Sequence, residues 1–335
     1  SHAASFALLV YVSAWIKCHH PDAFLAALLD SQPMGFYAPA QLVRDARAHG
    51  VAVRPVDVLH SQWETTLEPP DDVPAGAAAG AAFDASPDGP GRHRGPWAVR
   101  LGLNRLAGLR REDALRVLRA REQGPFAGVE DLARRAGLDA QALRLLAQGD
   151  ALVSLAGHRH QAAWTVGGID TRAPALLQAS RTHEPAAALA APVLGEDVVA
   201  DYRSAGLSLK AHPLALLRAA LAAFKVLPAA ELAQARPGQL VRASGLVTHR
   251  QRPETARGVV FVTLEDDTGT VNVIVWPDVA LAQRQALLGA RLLTVYGTWQ
   301  CEGRGERAVR HLIARRLVDH SALLAQLPHR SRDFR

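Results

Sequence analysis

From Gly238 onward, apolar and polar positions alternate with a period of two, the mark of strands with one buried face. The clearest case is Val259 to Trp276, VVFVTLEDDTGTVNVIVW, which predicts two strands around an acidic turn. Val260, Val262 and Leu264 share one face of the first strand, and Val271, Val273 and Val275 share one face of the second. These are the expected core. The other face carries Phe261 and Thr263, then Asn272, Ile274 and Trp276. Before the hairpin QLVRASGLVTHR predicts one strand; after it ARLLTVYGTWQCE and RAVRHLIARRLVDH predict two more, preceded by a helix over PDVALAQRQALLG.

Upstream the period lengthens to that of helices. Residues 3–17 are apolar nearly all round, which predicts a helix buried on every side. Pro21 starts a second helix, PDAFLAALLDS, with Phe24, Leu25, Leu28 and Leu29 as its buried stripe. APAQLVRDARAHG is a third, stopped by Gly50. Short extended segments follow in VAVRPVDVLHSQWETTLE. Residues 69–96 are mostly Gly, Pro and Ala and offer too little apolar surface to offset ordering entropy, so they are read as a mobile insertion. A short strand then leads to helices broken at Ala107-Gly108-Leu109 and Ala136-Gly137-Leu138, an internal duplication 29 residues apart.

The pattern as a whole describes an α+β multidomain chain. It has a helical region over 1–68, the insertion over 69–96 and a tandem helix-hairpin-helix over 97–168. A linker and helical connector follow over 169–235, then a barrel over 236–320 and a tail over 321–335. Five strands with a helix between the third and fourth is the order of an OB-fold β-barrel.

Composition narrows the choices. The 335 residues are 49% hydrophobic and 21% charged, which suits a soluble globular chain with more than one core. The 2 cysteines, Cys18 and Cys301, belong to no Cys-x-x-Cys pair, which argues against a zinc site or disulfide framework and fits a reducing cytosol. A cytoplasmic location is therefore expected. The opening apolar run lacks the basic flank of a signal peptide and is too short for a membrane span. It follows Ser1 directly, so the chain is expected to be cut from something longer. Charge is asymmetric: residues 236–335 hold 15 Arg against 9 Asp+Glu, which accounts for the whole net charge of +6. A basic C-terminal domain points to a polyanion partner.

An aromatic and an amide on the open face of a small barrel suit a base stacked on Phe261 and hydrogen-bonded by Asn272, with Thr263 and Trp276 alongside. Arg250, Arg252 and Arg257, placed in the loop between the first two strands, are candidate phosphate contacts. The competing reading has Phe261 and Trp276 cover the barrel against a neighbouring domain. In the first hairpin, Leu106-Ala107-Gly108-Leu109 supplies a turn that can aim backbone amides at a phosphate, and Arg105, Arg110 and Arg111 supply cations. The second copy keeps Gly137 but places Asp139 beside it, which repels phosphate and favours a helix-capping role. His19-His20 and His158-Arg159-His160 lack metal-ligand spacing and are read as surface histidines. Asp71-Asp72 and Asp266-Asp267 are not set on a rigid scaffold facing further carboxylates, as two-metal chemistry requires. No catalytic residue and no metal ligand is assigned in this segment.

The opening SHAASFALLVYVSAWIKCHHPDAFLAALLDSQPMGFYAPAQLVRDARAHGV resembles the bacterial C-family DNA polymerases, relatives of the DNA polymerase III α subunit. The resemblance runs on in order through VRPVDVLHSQWETTLE, the hairpins, GLSLKAHPLALLR and the barrel, and leaves out only the insertion. QPMGFYAPAQLVRDARAHGV and the terminal Ser331-Arg-Asp-Phe334 are similar to the error-prone branch used in damage tolerance. Gln148 and Gln285 begin no Gln-x-x-Leu-x-Phe clamp-binding peptide, which fits a branch that reaches the sliding clamp through an accessory protein.

The resemblance implies that residues 1–68 are part of the polymerase fingers, with Ser1 and His2 near the incoming deoxynucleoside triphosphate. It also implies that Arg105, Gly108, Arg110 and Arg111 meet duplex primer–template, and that the barrel face meets single-stranded template. It implies too that palm aspartates holding Mg2+ lie upstream of Ser1, so that this segment alone incorporates no nucleotide. Two alternatives stay open from the residues: a stand-alone module binding single-stranded DNA or tRNA, and a protein-docking platform for an accessory subunit.

Overall fold

The computed structural model describes residues 2–35, 37–70, 97–170, 187, 189–303, 308–324 and 332–333. Ser1, nearly all of the 69–96 insertion, much of the linker and most of the 321–335 tail lie outside them. The chain divides into two compact units, one of residues 1–193 with 203–209, the other of 194–202 with 210–335.

The first unit opens with α1 (His2–His19), α2 (Pro21–Asp30) and α3 (Pro39–Ala48). α2 begins on Pro21 and buries Leu25 and Leu29. α3 is held at its start by Gln41, whose Oε1 accepts from the Ala38 amide at 3.0 Å. The expectation of a fully buried α1 is wrong for this chain: Phe6, Leu8, Leu9, Val10, Tyr11, Val12 and Trp15 are all exposed. An apolar sequence records that a helix needs cover, not which polypeptide supplies it.

A small sheet follows, with β3 (Ala98–Arg100) between β1 (Val53–Arg54), parallel to it, and β2 (Thr66–Glu68), antiparallel. Glu68 bridges Arg54 and Arg100 across that sheet. Burial opposes its ionisation, but the bonds from Arg100 and Arg54 prevail and hold its carboxyl below the ordinary glutamate range. Because β3 lies beyond residues 69–96 and pairs with strands before them, the expected boundary between 1–68 and 97–168 is not a division in the fold. One core of buried residues runs from Leu25 and Val43 through Val99 to Leu143 and Leu152.

The helices of this core are α4 (Arg111–Glu122), α5 (Val129–Ala136), α6 (Ala140–Gln148), α7 (Val153–Ala156) and α8 (Arg159–Gly168). The two hairpin copies are unequal. Ahead of Gly137 stands the full helix α5, whereas ahead of Gly108 there is only a 3-10 turn, Leu103–Arg105. Asp139 is indeed an N-cap, accepting from the Ala142 amide at 2.7 Å. His158 and His160 meet the carbonyls of Leu189 and Ala190, at 3.1 Å and 2.9 Å, and so hold the returning chain.

The helix α9 (Leu194–Ala205) straddles the division between the units. In the second unit come α10 (Pro213–Ala222) and α11 (Ala229–Leu232), then β4 (Leu240–Gln251), β5 (Val260–Glu265) and β6 (Thr270–Val275). Next are α12 (Pro277–Ala282), α13 (Arg284–Gly289), β7 (Leu292–Glu302), β8 (Val309–Asp319) and the short β9 (Arg332–Asp333). The strand order β5-β6-β8-β7-β4 closes through β4–β5 pairing, so the five long strands form a barrel, with β9 added beside β4.

Val260, Val262, Leu264, Val271, Val273 and Val275 fill its interior, as the alternation requires. Closure brings backbones close. At Gly297 an added Cβ would meet the Ile313 carbonyl oxygen at 2.2 Å, so no larger residue fits beside the β7 irregularity. The connector is not a free linker: Leu214 and Leu221 of α10 share a buried cluster with Leu246, Leu292 and Leu324. The helix expected over 277–289 breaks at Gln283. That side chain turns inward, donating to the Arg315 carbonyl at 3.2 Å and accepting from the Leu317 amide at 2.7 Å.

Candidate nucleic-acid interface

On the barrel, the strand register sets the outward side chains in rows. Phe261 stands opposite Ile274, and Ile274 opposite Ile313 of β8; Thr263 stands opposite Asn272. Phe261 is 37% exposed and Trp276 52%, while every inward neighbour on β5 and β6 is buried. Thr263 Oγ1 lies 3.4 Å from Asn272 Oδ1, a long bond that leaves the exposed amide group free to turn to a ligand. The face therefore offers two aromatic surfaces, a branched apolar side chain between the strands and one amide. That combination stacks planar rings and donates to their edges.

The hairpin that carries this face is fixed at its tip. Asp266 is 3% exposed and accepts from the amides of Ala229, Thr268 and Gly269 at 2.9, 2.8 and 2.9 Å, and from Arg218 Nη2 at 2.8 Å. Arg218 also bonds Asp267. Burial raises the Asp266 pKa, but the bonds from Arg218, Ala229 and Thr268 outweigh it and hold the carboxyl below the usual aspartate range. With both oxygens committed, Asp266 has nothing left for a cation. Among the described residues no group of three or more His, Cys, Asp or Glu side chains is placed to hold a metal ion.

The three arginines expected beside this face separate. Arg252 and Arg257 are exposed in the loop between β4 and β5, where Arg257 has φ 49°. Arg250 is not in that loop. It belongs to β4, is 5% exposed, and donates from Nε to the Leu287 carbonyl at 2.6 Å and from Nη2 to the Ala290 carbonyl. It closes the C-terminal end of α13, where backbone carbonyls lack helical partners, and is unavailable to a phosphate.

Arg105 in the first hairpin is corrected for the same reason. Its Nη1 donates to the Leu29 carbonyl at 3.0 Å, closing the end of α2. Burial pushes its pKa down, against the pull of nearby Asp30. Gly108 is exposed and has φ +83°, a left-handed turn suited to glycine. The amide of Ala107 is already taken by the Ser204 carbonyl at 2.7 Å. Arg110 reaches Asp113 at 2.7 Å and Asp139 at 2.9 Å, so one copy of the duplication neutralises the cation of the other. Asp113 and Asp139 in turn raise the Arg110 pKa, Asp113 more strongly. Arg111 alone among the four expected residues is an exposed cation with no carboxylate in ion-pair range among the described residues. Ser1 lies outside the described residues, and His2 begins α1.

Sequence reasoning missed Tyr296, Arg242 and Arg316, which meet across β4, β7 and β8. Alternation marks Tyr296 as outward, but nothing local pairs it with two arginines far away in sequence.

The geometry defines a class: a helix-hairpin-helix unit and an OB-fold nucleic-acid-binding barrel on one chain. Family models agree, matching a helix-hairpin-helix motif over residues 50–162 and an OB-fold nucleic acid binding domain over residues 232–316.

Relatives give the particular kind. The chain is 55% identical over 334 residues to an error-prone DNA polymerase of Azoarcus sp. (strain BH72), covering 100% of this chain and 29% of that protein. It is 52% identical over 336 residues to one from Ralstonia nicotianae, again with 100% and 29% covered. The error-prone DNA polymerase of Bordetella parapertussis is 53% identical over 327 residues, 98% of this chain and 29% of that protein. By sequence the chain is thus similar from end to end to part of an error-prone DNA polymerase, and it spans about three-tenths of those relatives' length. Among solved structures, asparaginyl-tRNA synthetase from Pyrococcus horikoshii aligns over 24% of this chain and 20% of that chain, at 24% identity and a TM-score of 0.21. No helix among the described residues is long and apolar enough to cross a membrane.

Proposed function

We propose that this chain is the DNA-holding segment of an error-prone, translesion DNA polymerase acting in damage tolerance in the cytoplasm. The barrel takes single-stranded template on the β5–β6 face, with bases against Phe261 and Trp276 and an edge contact from Asn272. Arg252 and Arg257 flank that path for phosphates. Duplex primer–template passes the turn at Gly108, where Arg111 is the available cation. His2, which begins α1, belongs to the part of the fingers that serves the incoming deoxynucleoside triphosphate. Mg2+-dependent nucleotidyl transfer belongs to carboxylates outside this segment, and an accessory protein links the polymerase to its sliding clamp.

One observation carries the reading: an exposed aromatic and amide row on a barrel whose inward side is fully packed. Fluorescence anisotropy with single-stranded and primed DNA tests it across a salt series. Affinity is expected to fall linearly on a log–log plot as counterions are released. Binding that ignores salt, and that Phe261→Ala leaves unchanged, overturns the reading.

A further inference from the structure

Tyr296 of β7 stands opposite Arg242 of β4 on one side and Arg316 of β8 on the other. The two guanidinium carbons lie 4.9 Å and 5.5 Å from its ring centroid, within cation–π range. Arg242 is pinned there by a 3.1 Å hydrogen bond from Nη1 to the Phe224 carbonyl. Arg316 is exposed, as is Arg315 beside it, and neither has a carboxylate in ion-pair range among the described residues.

The strand order shows where this trio lies. In a closed order β5-β6-β8-β7-β4, β7 is separated from the β5–β6 hairpin by one strand on either side. Outward side chains on β7 therefore point away from those on the hairpin. A single short strand of DNA lying on Phe261 does not reach them.

The chemistry of the trio is that of an oxyanion clamp. A guanidinium stacked on a ring keeps its N–H edges for acceptors, and a bidentate partner is a phosphate or carboxylate. Arg242 is already fixed by its bond to the Phe224 carbonyl, and Arg316 is the freer of the two. Strands spaced about 4.8 Å apart put the two arginine backbones about 10 Å from each other, one on either side of Tyr296, a spacing that suits neighbouring phosphates of one strand. The surroundings favour nucleic acid over a protein partner. On β4, β7 and β8 the exposed large apolar residues are Leu240 and Val309, both at strand starts, so the trio lacks the apolar centre of a protein interface.

We propose that Arg242, Tyr296 and Arg316 form a second phosphate-binding site. It takes the sugar–phosphate backbone of a strand that continues round the barrel from the Phe261 face. This rests on the reading that the barrel binds nucleic acid.

The test uses the whole chain and fluorescein-labelled oligothymidylate of about 6 nucleotides, near the lower end of what one OB barrel holds, and of about 30. Arg316→Gln, on an exposed side chain, is expected to leave the short probe unchanged. It should weaken the long one about fivefold at roughly 0.1 M salt, with a salt slope smaller by about 0.7. Phe261→Ala should weaken both. If Arg316→Gln changes neither length while Phe261→Ala weakens both, the trio is no site and the hairpin-face reading stands. If only Arg316→Gln has an effect, and only on the long probe, the trio stands and the hairpin face falls. Equal weakening of both lengths merges the two places and overturns a second site. Lost affinity for polyglutamate with the long oligonucleotide unaffected makes the ligand an acidic polypeptide, which also overturns it.

Discussion

The hairpin turn and the barrel face are both assembled from glycine, arginine and apolar residues, yet they have spent those residues differently. Around Gly108 most of the polar groups are already engaged. Arg105 closes α2, Arg110 is shared by Asp113 and Asp139, and the Ala107 amide is bonded to Ser204. On the barrel one arginine is consumed in the same manner, Arg250 at the end of α13, but the aromatic face stays open. The difference teaches that a basic residue near a binding motif counts toward affinity only after helix ends and carboxylates have taken their share. On that accounting the barrel should dominate binding to single strands, and the hairpin should contribute through one cation.

The largest expected effect comes from loosening the hairpin tip. Asp266→Asn replaces a buried carboxylate that accepts from Arg218 and three amides, and should cost about 3 kcal/mol of stability at neutral pH. Because the folded pKa lies below the ordinary 3.8, this contribution is complete above that pH and is lost as pH falls through the folded value. Thermal melts of the two proteins should therefore converge in acid. A gap that stays constant down to the acid limb means that the charge is not what holds the tip.

Next in size is Phe261→Ala. Loss of one stacked base is worth about 2 kcal/mol, or roughly thirtyfold in affinity for single-stranded DNA by anisotropy. If the change is less than that made by any hairpin arginine, the contrast between the two regions is reversed.

The smallest effects sharpen the comparison within the hairpin. Arg111→Gln should weaken duplex binding about eightfold at roughly 0.1 M salt and lower the salt slope by about 0.9, with no change in melting temperature. Arg105→Gln should do the opposite, lowering stability by about 1 kcal/mol while leaving duplex affinity intact. An affinity loss in the second variant returns Arg105 to the DNA.

The barrel was legible because alternation records burial directly: the inward valines of β5 and β6 are where period two puts them. The helix starts at Pro21 and the capping role of Asp139 were legible for a local reason, since caps act within one turn. Failures fell where the answer lies far off in the chain. A long arginine side chain reaches several ångströms, and whether it meets water or the end of a helix depends on tertiary packing, as Arg105 and Arg250 show. β3 is a short strand, as its pattern predicts, but 3 residues do not say which strands they pair with, and those partners lie beyond the 69–96 segment. The apolar run of α1 gave the helix correctly and its surroundings wrongly.

The pairing of Glu68 with Ala98 places the two ends of the 69–97 segment side by side. The entropy of loop closure grows only with the logarithm of length, so the number of residues joining those ends changes the cost of closing the sheet little. Evolution can therefore lengthen or shorten that passage at little entropic cost to closure. A protein engineer can replace it with a tight turn, or open the chain there and let the two pieces find each other again.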